Sequence, residues 1–161
     1  KGELYRLAVE VRRRYPEILL IVNDHLDVAM AAGADGVHLG QQDLPVAAAR
    51  TVAPELIIGA SSHSLEQALD AEKAGADYVN IGPIFPTGTK PHSEFLGPET
   101  IARISPHLGV QFTVMGGIGP ENIEDVLRAG ARIVAVVTAV CAAPDPQAAA
   151  RLLRQKILEF R

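Results

Sequence analysis

The sequence predicts an α/β protein in which helices cover a parallel sheet, and three observations predict it. Short apolar runs of strand length, such as Ile18–Val22 and Tyr78–Ile81, alternate with helical patterns along the whole chain. These runs are apolar throughout, which is the pattern of strands buried on both faces. A phrase that leaves a helix through glycine and enters a strand also recurs. Ala32-Gly33-Ala34-Asp35 and Ala74-Gly75-Ala76-Asp77 are copies, and Ala129-Gly130-Ala131-Arg132 is nearly a third, so one βα unit is used several times.

Taken in order, Leu4, Leu7, Ala8 and Val11 form a helical stripe that ends near Tyr15-Pro16, and Ile18–Val22 is a strand closed by Asn23-Asp24. His25–Ala32 fits a short helix stopped by Gly33. Gly36–Gly40 is a strand closed by Gln41-Gln42-Asp43, and Pro45 opens a helix over Val46–Val52. Leu56–Ala60 is a strand, after which Ser64 and Gln67 make a capping box for the next helix. Tyr78–Ile81 leads into the loop Gly82–Gly97. Pro98–Ile104, the strand Val110–Met115, a helix from Pro120 through Leu127, the strand Ile133–Val137 and an amphipathic helix over Pro146–Phe160 complete the chain.

The expected count is six strands and seven helices in one domain spanning residues 1–161. A TIM (β/α)8 barrel needs eight strands, and a β-α-β segment ahead of residue 1 would supply the first strand, first helix and second strand. An open doubly wound sheet is the structural alternative. The opening Lys1-Gly2, without methionine, fits a piece removed or absent from the start.

Composition narrows the function classes. With 48% hydrophobic and 4% aromatic residues, the core is built from Ala, Val, Leu and Ile. A net charge of −4 gives no general attraction for nucleic acid or an anionic membrane. The single Cys141 has no disulfide or zinc partner and reads as a small core residue. No targeting or spanning segment is evident, and a cytoplasmic protein is expected.

The loop Gly82–Gly97 organises the chemistry. Its prolines and glycines forbid a helix or continued strand, and Thr87, Gly88, Thr89 and Lys90 bring two hydroxyls and an ammonium onto one turn, which suits a phosphate or pyrophosphate. A solvated connector is the plainer reading. In a barrel, active-site groups follow the strands, and here these are Asn23-Asp24, Gln41-Gln42-Asp43, Ser61-Ser62-His63, Thr87–Lys90, Gly116-Gly117-Ile118 and Thr138. Asp24 and Asp43 on adjacent loops suit Mg²⁺, although either alone also suits a helix N-cap. Gly116-Gly117 and Thr138 fall where barrels bind phosphate through backbone N–H groups; a tight turn before Pro120 is the alternative. His63 is either a proton-transfer group or a local hydrogen-bonding residue, and His38 reads as a satisfied core histidine.

The series Val22-Asn23-Asp24, Gly36–Asp43, Gly59-Ala60-Ser61-Ser62-His63, Gly82–Lys90 and Gly116-Gly117-Ile118 resembles the thiamine phosphate synthase family over essentially the whole chain. The resemblance implies a (β/α)8 barrel that couples 4-amino-2-methyl-5-hydroxymethylpyrimidine pyrophosphate to 4-methyl-5-hydroxyethylthiazole phosphate and releases pyrophosphate. It implies Asp24 and Asp43 as Mg²⁺ ligands and Asn23 as a pyrimidine contact. Ser61 and Lys90 would be catalytic groups that bind the pyrophosphate, with Thr87, Gly88, Thr89, Gly117, Val137 and Thr138 around the thiazole phosphate. Thr138 stands where serine is usual, which keeps the hydroxyl. The family's Gln-x-Arg-x-Lys segment would fall before Lys1, so this chain is expected to be the later part of such an enzyme.

Two other readings remain. His63-Ser64-Leu65-Glu66 resembles the related thiazole tautomerases, which need no metal, and a non-catalytic barrel could bind a phosphorylated metabolite and regulate a partner. The partners expected are phosphorylated small molecules and a possible second copy of the chain, with neither nucleic acid nor membrane.

Overall fold

A computed structural model describes residues 1–88 and 95–160. Five strands, β1 (Ile21–Asn23), β2 (Gly36–Leu39), β3 (Ile57–Ser62), β4 (Tyr78–Ile81) and β5 (Gln111–Val114), form one parallel sheet in sequence order. The sixth expected strand, Ile133–Val137, contributes only an isolated parallel bridge between Val114 and Val134. It is held there by the Val114 N–H to Ile133 and the Ala135 N–H to Val114, and the polypeptide then turns into a helix at Thr138, too early for a ladder.

Among the described residues the helices are α1 (Gly2–Arg14), α2 (Leu26–Ala31), α3 (Val46–Val52), α4 (Leu65–Lys73), α5 (Glu99–Ile104), α6 (Ile123–Arg128), α7 (Thr138–Cys141) and α8 (Pro146–Glu159). That is one more than expected. The addition, α7, is four residues long, too short for a periodic pattern to reveal. Pro120 lies outside α6, which begins after Asn122. Cys141, expected in the core, is exposed at the end of α7. Among the described residues no helix is long and apolar enough to cross a membrane.

The first strand starts three residues later than expected, because Ile18 and Leu19 are exposed rather than paired. The two faces of the sheet also differ, contrary to the expectation of strands apolar throughout. Val22, Val37, Leu39, Ile58, Val79, Ile81 and Val114 are all at most 3% exposed and belong to the clusters packed with the helices. The alternate positions, which pair across the sheet, are Asn23, His38, Gly59 and Tyr78 in one row and Ser61, Asn80 and Thr113 in the next. Polar side chains therefore line one face, and the helices cover the other.

The recurring Gly-Ala-Asp phrase has a structural cause. Asp35 accepts the Leu20 N–H at 2.7 Å and pairs with Arg12 from α1, whose guanidinium also donates to the carbonyls of Gly33, Pro16 and Ile18. Asp77 accepts the Ile58 N–H at 2.7 Å and pairs with Arg50 from α3, which donates to the carbonyls of Gly75, Pro54 and Leu56. One arginine thus clamps the end of the next helix to the entry of its strand in both copies. In the third copy Arg132 replaces the aspartate and bonds the carbonyls of Leu127 and Ala131 instead.

The Leu20 N–H, followed by the Arg12 guanidinium, holds the Asp35 carboxyl below its ordinary range. A depressed folded-state pKa stabilises the fold above the unfolded value of about 3.9, and this contribution fades as pH falls toward the folded value. Asp35→Asn is expected to cost about 1 kcal/mol at pH 7, modest because the side chain is partly exposed. This corresponds to about 2–4 °C in melting temperature. The gap between variant and wild type should narrow below about pH 4, which thermal melts across pH would measure.

Candidate active site

The polar face opens into a cleft of about 590 Å³ at the C-terminal ends of the strands. Its lining includes Asn23, Asp24, Asp43, Ser61, Thr87, Gly117, Val137 and Thr138, so eight of the residues singled out in the sequence share one cavity. Gly88 is described but does not line the cleft. Thr89 and Lys90 lie outside the described residues.

Asp24 follows β1 with φ +64°, a left-handed conformation that aspartate and asparagine adopt more readily than most residues. Its backbone N–H donates to the His38 carbonyl at 2.8 Å, and its Oδ1 accepts from Asn23 Nδ2 at 2.6 Å. Asp43 Oδ2 accepts the Gly40 N–H at 2.7 Å, closing the turn after β2. Neither aspartate is a helix N-cap: those positions are His25 for α2 and Pro45 for α3. The simple capping explanation for these two carboxylates therefore fails, and both are turned into the cleft instead.

No group of three His, Cys, Asp or Glu residues suited to a metal occurs among the described residues. Mg²⁺, however, is commonly held by one or two carboxylates, with water and phosphate oxygens completing its shell. The donor set of Asp24 and Asp43 fits that chemistry.

Ser61, on β3, lies beside His38, whose Nε2 is 2.9 Å from the serine Oγ, and Gln41 Nε2 donates to the Ser61 carbonyl at 2.6 Å. His38 is half-buried and satisfied, as expected, but it lines the cleft rather than the core. His63 contacts the Gly82 carbonyl through Nδ1 at 2.5 Å, while its backbone N–H donates to Gln67. Ser64 caps α4 by accepting the Gln67 N–H at 3.2 Å.

The other wall joins two loops. The Ile84 and Phe85 N–H groups donate to the carbonyls of Met115 and Gly116, and Leu96 and Gly97 return to Pro83 and Ile84. Gly116 and Gly117 both have positive φ, +101° and +63°. A Cβ on Gly117 would stand 2.3 Å from the Pro86 carbonyl oxygen, and one on Gly116 would stand 2.5 Å from Pro83 Cβ. The glycines are thus required by the approach of the Pro83–Pro86 segment as well as by their backbone conformation.

Asn122, absent from the sequence-derived set, fixes this wall. It accepts the Gly119 N–H at 2.8 Å and donates to the Gly117 carbonyl at 2.9 Å. Asn80 and Tyr78 are likewise outside that set, whereas Gln41, named among the residues that follow the strands, lines the cleft. Tyr78 and Asn80 lie inside a strand that reads as apolar, where only the pairing register shows which way each side chain points.

Residues 2–140 match the family model described as thiamine monophosphate synthase. A thiamine-phosphate synthase from Pyrococcus abyssi is 46% identical over 159 residues, covering 98% of this chain and 76% of that protein. One from Chloroflexus aurantiacus is 48% identical over 150 residues, covering 91% of this chain and 69% of that protein. The structure of thiamine phosphate pyrophosphorylase from Pyrococcus furiosus matches with TM-score 0.92 at 40% identity, over 99% of this chain and 78% of that one. A 3-hexulose-6-phosphate synthase matches with TM-score 0.75 at 22% identity and so shares the fold alone. On sequence and structure together, the chain belongs to the thiamine monophosphate synthase family.

Proposed function

We propose that this chain is a transferase of thiamine biosynthesis. It would join 4-amino-2-methyl-5-hydroxymethylpyrimidine pyrophosphate to 4-methyl-5-hydroxyethylthiazole phosphate, giving thiamine phosphate and pyrophosphate. The observation that carries the reading is the meeting of Asp24, Asp43 and Ser61 with Gly117 and Thr138 across one cleft. On this reading a metal held by Asp24 and Asp43, together with Ser61, would take one anion and Gly117 and Thr138 the other, as two phosphorylated substrates require. The strands would be part of a (β/α)8 barrel forming a single domain, in a cytoplasmic setting.

Breaking the bond from the pyrimidine methylene carbon to oxygen leaves a pyrimidine cation and a pyrophosphate anion, and the thiazole nitrogen then forms the new C–N bond. The protein must stabilise separating charge and align the nitrogen with the methylene carbon, and no protein nucleophile is needed. Asp24 and Asp43 would hold Mg²⁺, which supplies charge neutralisation for the leaving group. Ser61, with Lys90, would bind the pyrophosphate, and Asn23 the pyrimidine. Thr87, Gly88, Thr89, Gly117, Val137 and Thr138 would seat the thiazole phosphate, with Thr138 at the first residue of α7.

The test is thiamine phosphate formation from the two substrates, with and without Mg²⁺. Product that disappears when the metal is chelated supports the reading. A folded, complete protein that forms none contradicts it.

A further inference from the structure

Behind Ser61 lies a chain of hydrogen bonds that the reaction itself does not call for. Pairing places His38, Gly59 and Tyr78 in one row across β2, β3 and β4. Gly59 has no side chain, and the Tyr78 ring occupies that space: a Cβ there would stand 2.0 Å from the ring. The ring stacks on His38 with centroids 5.5 Å apart and planes inclined by 28°. The phenol oxygen is 2.9 Å from His38 Nδ1, and His38 Nε2 is 2.9 Å from Ser61 Oγ.

The direction of these bonds follows from proton counting. Burial raises the Tyr78 pKa, so the phenol keeps its proton. Among the described residues the phenol's hydrogen-bond partner is His38. If Tyr78 donates to Nδ1, the imidazole proton resides on Nε2 and is given to Ser61 Oγ. The serine then keeps its own proton to donate into the cleft. In the reverse arrangement Nδ1–H donates to the phenol oxygen, the phenol proton loses its partner, and the Ser61 hydroxyl donates to Nε2 rather than into the cleft. The first arrangement satisfies every donor in the chain.

We propose that Tyr78 and His38 are positioning residues that hold Ser61 as a hydrogen-bond donor toward an anionic oxygen, that of the substrate's pyrophosphate. The inference rests on the pyrophosphate role given to Ser61 above. Without the phenol, the imidazole can take the other tautomer, and the serine would then turn lone pairs toward the anion.

The test is the affinity for inorganic pyrophosphate in the presence of Mg²⁺, measured by calorimetry on the wild type, Tyr78→Phe, Ser61→Ala and the double variant. Each single change is expected to weaken binding about tenfold, the scale of one charge-assisted hydrogen bond. The double variant should bind no more weakly than Ser61→Ala, because Tyr78 acts through the serine. Affinity for the thiazole phosphate should stay within about twofold of wild type in all of them, a result that a general folding fault would not give. His38→Gln, whose amide can still donate to Ser61, should bind more tightly than His38→Leu, and this pair decides the matter if Tyr78→Phe does not fold. Wild-type affinity in Tyr78→Phe, losses that multiply in the double variant, or equal affinities for the two His38 variants would overturn the proposal. Failure of the wild type to bind pyrophosphate would overturn it as well. Thiamine phosphate formation is read separately: its absence sinks the synthase reading, whereas pyrophosphate binding coupled through Tyr78 would survive.

Discussion

Asp24→Asn and Asp43→Asn are each expected to lower kcat/KM by at least about a hundredfold, the scale lost when one group stabilising a developing anion is removed. Asparagine is the informative replacement at both sites. At position 24 it tolerates the φ of +64°, and at position 43 its side-chain oxygen can still accept the Gly40 N–H. The fold should therefore persist, with a stability change of no more than about 0.5 kcal/mol, while one unit of negative charge leaves the cleft. The apparent Mg²⁺ requirement should rise in both variants, and part of the lost rate should return at high metal concentration. Steady-state kinetics over a metal titration, alongside thermal melts, would measure this. Activity within a few-fold of wild type in both would remove the two carboxylates from the metal site.

Gly117→Val is the second large effect. Its φ of +63° is costly for a branched side chain, and the first added carbon would stand 2.3 Å from the Pro86 carbonyl oxygen. Relief requires moving the Pro83–Thr87 segment, and Thr87 lines the same cleft. Displacements of about 1 Å in substrate-positioning groups can cost a hundredfold. The expected result is a loss of about that size in kcat/KM for the thiazole phosphate, with a stability cost of about 1–3 kcal/mol. Pyrophosphate affinity should change much less, because Asp24, Asp43 and Ser61 stand on the opposite wall. Separate binding curves for the two ligands would show the split, and equal losses for both would contradict the assignment of the two walls.

Much of the fold was legible because helix stops and strand starts share one local grammar. Glycine after α2 and α4, followed by Ala-Asp and an apolar run, marked the βα units in the sequence. The reason for the aspartate was hidden, since Arg12 and Arg50 lie 23 and 27 residues from their partners. Ile133–Val137 failed as a strand because an apolar run guarantees neither burial nor pairing: Ile133 and Val137 are exposed, and the chain bends into α7 after one bridge. The site was visible wherever polar residues follow strands, as Asp24 and Asp43 do. It was invisible at Tyr78 and Asn80, at the start and in the middle of a strand that reads as apolar, and where a residue fixes a loop from outside, as Asn122 does for Gly117.

A crystal structure of the protein grown with Mg²⁺, pyrophosphate and thiamine phosphate tests the central claim most directly. The expected result is Mg²⁺ held by Asp24 and Asp43, with a pyrophosphate beside it that accepts a hydrogen bond from Ser61. The phosphate of thiamine phosphate should lie against Gly117 and Thr138. Product bound elsewhere, or a metal that touches neither aspartate, would contradict it.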